Sequence, residues 1–374
     1  MHHILTHPPT FNYGGILQAF ALQQTLWQKG YTCDTIDYLA KNRIAARPRT
    51  LRSHISNLLC FLSVLAGNRN KQVPGHIVPW FHIPFKKRSM KRWQLDNMRR
   101  KLPQLQDDSS FIVGSDQVWR CVYARNIESV PFFFLEFATQ EQRRRSIAYA
   151  ASFGSAEWEG TAEETEACKQ LLQDFKAVSV REHSGVQLCR EVFGVEAVQM
   201  PDPTLLLEQE DYNQLISQGW THEHTHPFMA TYLLDTDEAK TALVQAISML
   251  SGLYPQQLMH QAMAKRLQDR LPLTISQWLR YIRDSQCVLT DSFHGCVFSI
   301  IFNKPFVCLG NEGRGAARFD TLLGTFGLEE RLVTNYVKDA ILQLLNTPID
   351  WERVNTIRHS EQKRAIEFLE EHLK

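Results

Sequence analysis

Short, almost continuously apolar runs alternate along the chain with longer segments whose apolar residues recur at helical spacing. His3 to Thr6 reads as a strand. Ile16, Leu17, Phe20, Leu22, Leu26 and Trp27 then mark a helix that ends at Lys29-Gly30, and Cys33 to Tyr38 begins the next strand. A β-α-β opening of this kind belongs to parallel sheets. After a long interruption the pattern resumes with strands at Ser110 to Val113, Ser146 to Phe153, Ala177 to Val180 and Ala197 to Met200, and with helices at Ala162 to Phe175 and Ser184 to Val192. Runs that are apolar at every position, not at alternate ones, predict a sheet covered on both faces.

Pro201 to Asp211 (PDPTLLLEQED) reads as a linker, because its prolines fit neither mid-helix nor mid-strand. Beyond it the alternation restarts, with strands at Phe228 to Leu234, Gln257 to Met259, Gln286 to Asp291 and Pro305 to Leu309. Helices are predicted at Thr236 to Leu250, Ser276 to Arg283, Gly295 to Phe302 and Ala316 to Phe326. The last helix, Trp351 to Leu373, carries an apolar stripe that predicts docking on the body. The expected architecture is α/β, with two Rossmann-like domains over residues 1–200 and 201–350 and a closing helix over 351–374 that docks on the body.

Charge changes this picture in one place. The chain of 374 residues has a net charge of +1, yet Lys41 to Lys101 holds fifteen Lys or Arg against a single acid, Asp96. That segment forms the core of an insertion over about 41–106 and includes an apolar dozen, Ile55 to Ala66, followed by interleaved aromatics and cations. It either packs as a helical insertion with solvated lysines or meets an anionic membrane surface or lipid-linked substrate. No nucleic-acid-binding motif accompanies the charge. No apolar run reaches the length of a membrane span, and the start lacks the pattern of a secretory signal, so a cytoplasmic location is expected. The eight cysteines include no CxxC pair, which argues against a zinc knuckle or a disulfide scaffold. His222, His224 and His226 could share one face of an extended segment around a metal, but a solvent-facing loop is the preferred reading.

Candidate chemistry gathers at four turns. In TDSFHGCVFSIIF, Ser292, Phe293, His294 and Gly295 turn from a strand into a helix, placing His294 beside backbone N–H groups that can bind an anion. A structural cap is the alternative. In FIVGSDQVW, Asp116 follows a strand between Ser115 and Gln117, exposed and placed to take a proton or hold a hydroxyl, or else serving as a helix cap. In VSVREHSG, Arg181 could hold a carboxylate or phosphate through two parallel hydrogen bonds, or pair with Glu182. In NEGRGAARF, Arg314 and Arg318 flank a glycine turn suited to an anion. The Asn12-Tyr13-Gly14 turn at the first helix completes the substrate-binding candidates. No GxGxxG, Walker, GxSxG or HExxH pattern occurs, which argues against nicotinamide, P-loop and the corresponding hydrolase chemistries.

Taken in order, NYGGILQAFALQ, FIVGSDQVW, IAYAASFG, VSVREHSG, PDPTLLL and LTDSFHGCVFSIIFNKPFV resemble the polysaccharide pyruvyl transferase family. The resemblance implies a glycosyltransferase-B-like fold, two Rossmann-like domains facing across a cleft with the helix over 351–374 packing back on the first domain, and transfer of a pyruvyl group from phosphoenolpyruvate to a pair of sugar hydroxyls as a ketal, releasing phosphate. It implies a glycan or polyprenyl-diphosphate-linked acceptor of the cell envelope, and neither a cofactor nor a metal beyond the donor substrate. His294 matches the family's histidine, as acid or phosphate stabiliser, and Arg181 its donor-binding arginine, with Asp116 as base toward the acceptor. Ser292 stands where the family's Arg-x-His turn has arginine. A nucleotide-sugar glycosyltransferase on the same fold, or a non-catalytic subunit of a glycan-assembly complex, are the alternatives.

Overall fold

A computed structural model describes residues 1–7, 12–38, 90–93, 109–217, 226–259, 273–310 and 316–374. Most of the basic insertion, His222 and His224 of the histidine run, and Arg314 in its glycine turn lie outside the described residues.

Among the described residues the strands form two all-parallel sheets. His2–Leu5 (β1), Cys33–Tyr38 (β2), Met90–Trp93 (β3), Ser110–Val113 (β4), Ile147–Ala151 (β5), Ala177–Val180 (β6) and Val198–Gln199 (β7) make the first, in the order β3-β2-β1-β4-β5-β6-β7. Phe228–Tyr232 (β8), Tyr254–Gln257 (β9), Cys287–Thr290 (β10), Phe306–Leu309 (β11) and Leu332–Val333 (β12) make the second, in the order β12-β11-β10-β8-β9. Every residue of β4, β5, β8, β10 and β11 is buried, as continuous apolar runs require when helices cover both faces.

Strand order turns twice in a way that matters for ligands. β1 lies between β2 and β4, so the chain leaves β1 in one direction and returns on its other side; β8 lies likewise between β9 and β10. Connections diverge at these two positions and open a crevice at the carboxyl ends of the strands.

β3, inside the basic insertion, and the short β12 are strands the sequence reading did not expect, and two expected elements are shifted. The strand placed at Gln257 to Met259 is β9, three residues earlier, and it contains Pro255. β9 is an edge strand, where a missing N–H breaks no ladder bond. The helix expected from Gly295 runs from Phe293 to Ile301 (α2) with Ser292 as its N-cap residue, so His294 sits inside the first helical turn.

The domains share a core. Helix Tyr13–Gln28 (α1) buries Tyr13, Ile16, Leu17 and Ala21 against Leu205, Trp278 and Phe298, joining the first sheet's leading helix to the second domain. The closing helix, Trp351–His372 (α4, after Ala316–Phe326 as α3), buries Ala365, Phe368 and Leu369, followed by Leu373, against Ile4, Leu22, Ile112 and Tyr149 of the first domain. Arg358 in its middle donates to the Leu207 carbonyl at 3.2 Å and to Glu208 Oε2 at 2.7 Å, which pins the connection between the domains.

Candidate functional site

Five strand ends meet where the domains face each other. β1 delivers His7, β4 delivers Ser115 and Asp116, β6 delivers Arg181, the turn after β7 delivers Asp202, and β10 delivers Ser292 through Gly295. Thus Asp116 and His7 occupy the crevice of the first sheet and His294 that of the second.

His294 is 6% exposed and belongs to the second domain, but its ring lies against α1 of the first. A Cβ on Gly14 would fall 2.0 Å from His294 Nδ1 and 2.2 Å from Cγ, so glycine is what lets the helix come this close. Gly295 is packed as tightly for another reason, since its Cβ would stand 2.2 Å from Thr290 Oγ1. Thr290 Oγ1 donates to the Tyr232 carbonyl at 2.7 Å and accepts from Ser292 N at 3.0 Å, fixing the turn that aims His294. In the second crevice the Asp291 carboxylate accepts from Leu234 N, Asp235 N and Lys240 Nζ, the last at 2.6 Å, with both side chains of the pair buried. That carboxylate ties the end of β10 to the turn after β8 with the protein's own anion.

Arg181, 3% exposed, pairs with Asp202 and not with Glu182: Nη1 donates to Asp202 Oδ2 at 2.8 Å. The other edge of the guanidinium, Nε and Nη2, is buried without a hydrogen-bond partner. Such a fork matches a carboxylate or phosphate with two parallel bonds, and leaving it empty is costly enough to call for an explanation. The Phe293 ring lies 4.5 Å from the Arg181 guanidinium and 5.7 Å from that of Arg318 on α3, so both cations share one aromatic ring. Arg318 is 8% exposed, and burial, with the charge of Arg181 next, pulls it down to about 10. Two adjacent buried arginines form a site that an anion stabilises.

Asp202 is the hub. Its Oδ1 accepts from the Thr204 amide at 3.0 Å and hydroxyl at 2.7 Å, while Oδ2 accepts from Arg181 and, at 3.4 Å, from Ser115 Oγ. His294 Nε2 stands 3.5 Å from the same oxygen. Burial raises the Asp202 carboxyl, but the charges of His294 and Arg181 and the Thr204 bonds outweigh it and hold the group below the usual carboxylate range.

Asp116 is buried, 5% exposed, contrary to the exposed position expected from its strand end. α1 covers it: a Cβ on Gly15 would lie 2.9 Å from Asp116 Oδ2. It does not cap a helix, since its Oδ1 accepts from Gln117 N at 2.8 Å and the next helix has Arg120 as its N-cap residue. His7 Nδ1 is 3.7 Å from Oδ2, and His7, Arg181 and His294 outweigh the effect of burial and keep this carboxyl, too, below the usual range. Gln18 fastens the whole edge, donating to Thr6 Oγ1 at 2.9 Å and accepting from Ser115 N at 3.1 Å.

The expected residues therefore divide. Arg181, Ser115, Asp116, Ser292, Phe293, His294, Gly295, Gly14 and Arg318 are brought together. Gln117 is half-buried at the rim, accepting from Arg120 Nη1 at 3.3 Å. Asn12 caps α1, accepting from Gly15 N at 3.2 Å. Tyr13 turns away from the site, against expectation: it stacks on Trp278 at 5.5 Å and donates to the Leu273 carbonyl at 3.0 Å, as a core anchor between domains. His226 is exposed, and the described residues contain no group of three side chains able to hold a metal. Asp202 and His7 were missed. An aspartate followed two residues later by threonine is a turn-capping signal that the flanking prolines masked.

No curated protein matches the chain by sequence. In structure it is similar over its whole length to a glycosyltransferase of kitacinnamycin, with a TM-score of 0.52 and 12% identity, covering 99% of that chain. It is also similar to a Listeria monocytogenes protein assigned as a UDP-N-acetylglucosamine 2-epimerase, with a TM-score of 0.54 and 9% identity, over 99% of this chain and 95% of the other. Those likenesses speak for the two-domain glycosyltransferase-B arrangement and for nothing finer. The sequence profile for polysaccharide pyruvyl transferase, by contrast, matches residues 12–313, a stretch that takes in Asp116, Arg181, Asp202 and His294. By that match, the chain belongs to the polysaccharide pyruvyl transferase family.

Proposed function

We propose that this transferase moves a pyruvyl group from phosphoenolpyruvate onto two hydroxyls of a sugar in a cell-envelope polysaccharide or its lipid-linked precursor. The observation that carries the reading is the empty Nε/Nη2 edge of Arg181, buried beside Arg318 and within the charge field of His294. Phosphoenolpyruvate has a carboxylate at one end and a phosphate at the other, and it needs at least two oriented cations. Arg181 offers the fork, Arg318 the second cation, and the first turn of α2 adds N–H groups with the positive end of the helix. Lys240 is already paired with Asp291, which makes the end of β10 a poor place for a second anion and favours Arg181 as the donor's anchor.

The chemistry then follows from charge. His294 as imidazolium gives a proton to the methylene carbon of the donor, and C2 acquires cationic character. A sugar hydroxyl bonds to C2, the C2–O bond to phosphate breaks, and a second hydroxyl closes the ketal. One hydroxyl proton replaces the proton spent on carbon and the other leaves with phosphate. Asp116, held ionised, is a weak base toward a free hydroxyl. An oxygen that has already attacked a cationic carbon is far more acidic, and a carboxylate of that kind suffices for it. The basic segment Lys41 to Lys101, read by its charge alone, suits an acceptor with a polyprenyl diphosphate at an anionic membrane surface.

Thermal-shift titration with phosphoenolpyruvate beside a panel of nucleotide sugars tests this. Ligand at 100 times its dissociation constant stabilises by about 2.7 kcal/mol. Phosphoenolpyruvate is expected to stabilise wild type and neither Arg181→Ala nor Arg181→Lys, the second of which keeps the charge beside Asp202 without the fork. Stabilisation by a nucleotide sugar and not by phosphoenolpyruvate would overturn the reading.

A further inference from the structure

Asp202 makes more bonds than a linker aspartate needs, and their distribution is specific. Oδ1 is consumed by its own turn, through the Thr204 amide and hydroxyl, so the carboxylate cannot rotate. Its Oδ2 faces Arg181 Nη1 at 2.8 Å, Ser115 Oγ at 3.4 Å and His294 Nε2 at 3.5 Å, three groups from strand ends of both sheets. An oxygen anion from a ligand would seek these same neighbours. The polar atoms left over around it, Arg181 Nε and Nη2, are buried and have no hydrogen-bond partner. Asp202 thus holds one corner of a guanidinium and leaves the side-on fork free.

We propose that Asp202 is an internal counter-anion that positions Arg181 and His294 for the donor while keeping the site from holding inorganic phosphate too tightly. This rests on reading Arg181 as the donor's anchor, and it adds a consequence for turnover. Phosphate is the product that must leave. Two buried arginines and a histidine with no opposing charge would retain it; a fixed carboxylate against the same groups repels it. The same carboxylate sets the direction in which the Arg181 fork opens, and a shift of about 1 Å in such a group costs about 100-fold in rate.

The residue is a positioning residue, and its test separates this role from a merely structural ion pair. Asp202→Asn keeps the shape and the Thr204 bonds while removing the charge. Binding of inorganic phosphate is measured by calorimetry on wild type, Asp202→Asn and Arg181→Ala, together with the rate of phosphate release from phosphoenolpyruvate in the presence of methyl hexosides. We expect Asp202→Asn to bind phosphate about tenfold more tightly than wild type and to turn over at least about 100-fold more slowly. We expect Arg181→Ala to lose phosphate binding.

Weaker phosphate binding in Asp202→Asn, in step with a lowered melting temperature, would reduce Asp202 to a structural salt bridge and overturn the proposal. So would unchanged phosphate affinity. Should the variant not fold, Thr204→Val, which removes the hydroxyl bond that fixes Oδ1, must slow turnover by displacing the Asp202 carboxylate; turnover and phosphate affinity both within about twofold of wild type would equally refute the proposal. A wild type that binds phosphate, with the predicted gain in Asp202→Asn, but ignores phosphoenolpyruvate would sink the donor assignment and leave the counter-anion role standing.

Discussion

Replacing Gly14 with alanine is the sharpest way to disturb His294 without touching it. The added methyl would lie 2.0 Å from Nδ1, 2.2 Å from Cγ and 2.6 Å from Cε1 of the ring, whereas ordinary contact begins at 3.4 Å. The ring must therefore retreat by more than 1 Å, or α1 must lift off the second domain by as much. Neither is free: the ring is wedged beside Phe293 at a centroid distance of 5.3 Å, and α1 is anchored by Tyr13 on Trp278. Local helix stability moves the other way, because alanine inside a helix is better than glycine by about 0.5–1 kcal/mol. The expected outcome is a folded protein with a slower reaction, down by about 100-fold for a displacement of about 1 Å in a reacting group. The assay is release of phosphate from phosphoenolpyruvate with a sugar acceptor, run on Gly14→Ala, His294→Ala and the double variant. If glycine acts through the histidine, the double variant is no slower than His294→Ala alone. Turnover by Gly14→Ala within threefold of wild type, or losses that simply add in the double variant, would refute the reasoning.

Two further expectations concern stability. Asp291→Asn leaves Lys240 buried without its anion, and should lower stability by about 3–5 kcal/mol, read as a lower urea midpoint at unchanged slope; replacing both partners by apolar residues should recover much of the loss. His2 is pulled down from 6.5 to about 4, by burial first and nearby positive charge second. The unfolded chain then takes up this proton before the folded one does. Stability should therefore fall as pH drops from 6.5 toward 4, and His2→Asn should flatten that limb in urea titrations across the window. An unchanged slope in the variant would count against the burial of His2.

What could be read from the residues was what each strand run carries at its own end. Arg181 and His294 follow apolar runs, so a parallel sheet puts them at its ligand-binding edge whatever the details of packing. Most of the strands follow from the same runs, but not β3 and β12, and the order in which the strands pair, which sets both crevices, comes from the fold. What escaped was contact between parts of the chain that only the fold joins. His7 means little until β4 is set beside β1 and Asp116 comes within 3.7 Å of it. Asp116 reads as exposed because its cover is α1, and Tyr13 reads as a site residue because its ring's destination, Trp278, belongs to the other domain. Asp202 lay in the segment taken for a linker, since prolines at 201 and 203 argue for a connection. They also hold the carboxylate between them in a fixed turn.

The buried charges of this cleft make sense only as a set. Arg181 and Arg318 are taken from water at a cost that Asp202 and Asp116 offset; with either acid removed, the folded state keeps uncompensated cations. An incoming dianion must then compete with acids already in place, so its affinity is set by the difference between two anions and not by the full attraction of the cations. That difference is small by construction, which suits the proposed donor, which must bind, and the proposed product phosphate, which must leave through the same groups. On this argument affinity and turnover are coupled through Asp202, and variants that make the site a better phosphate trap should be the ones that make it a worse catalyst.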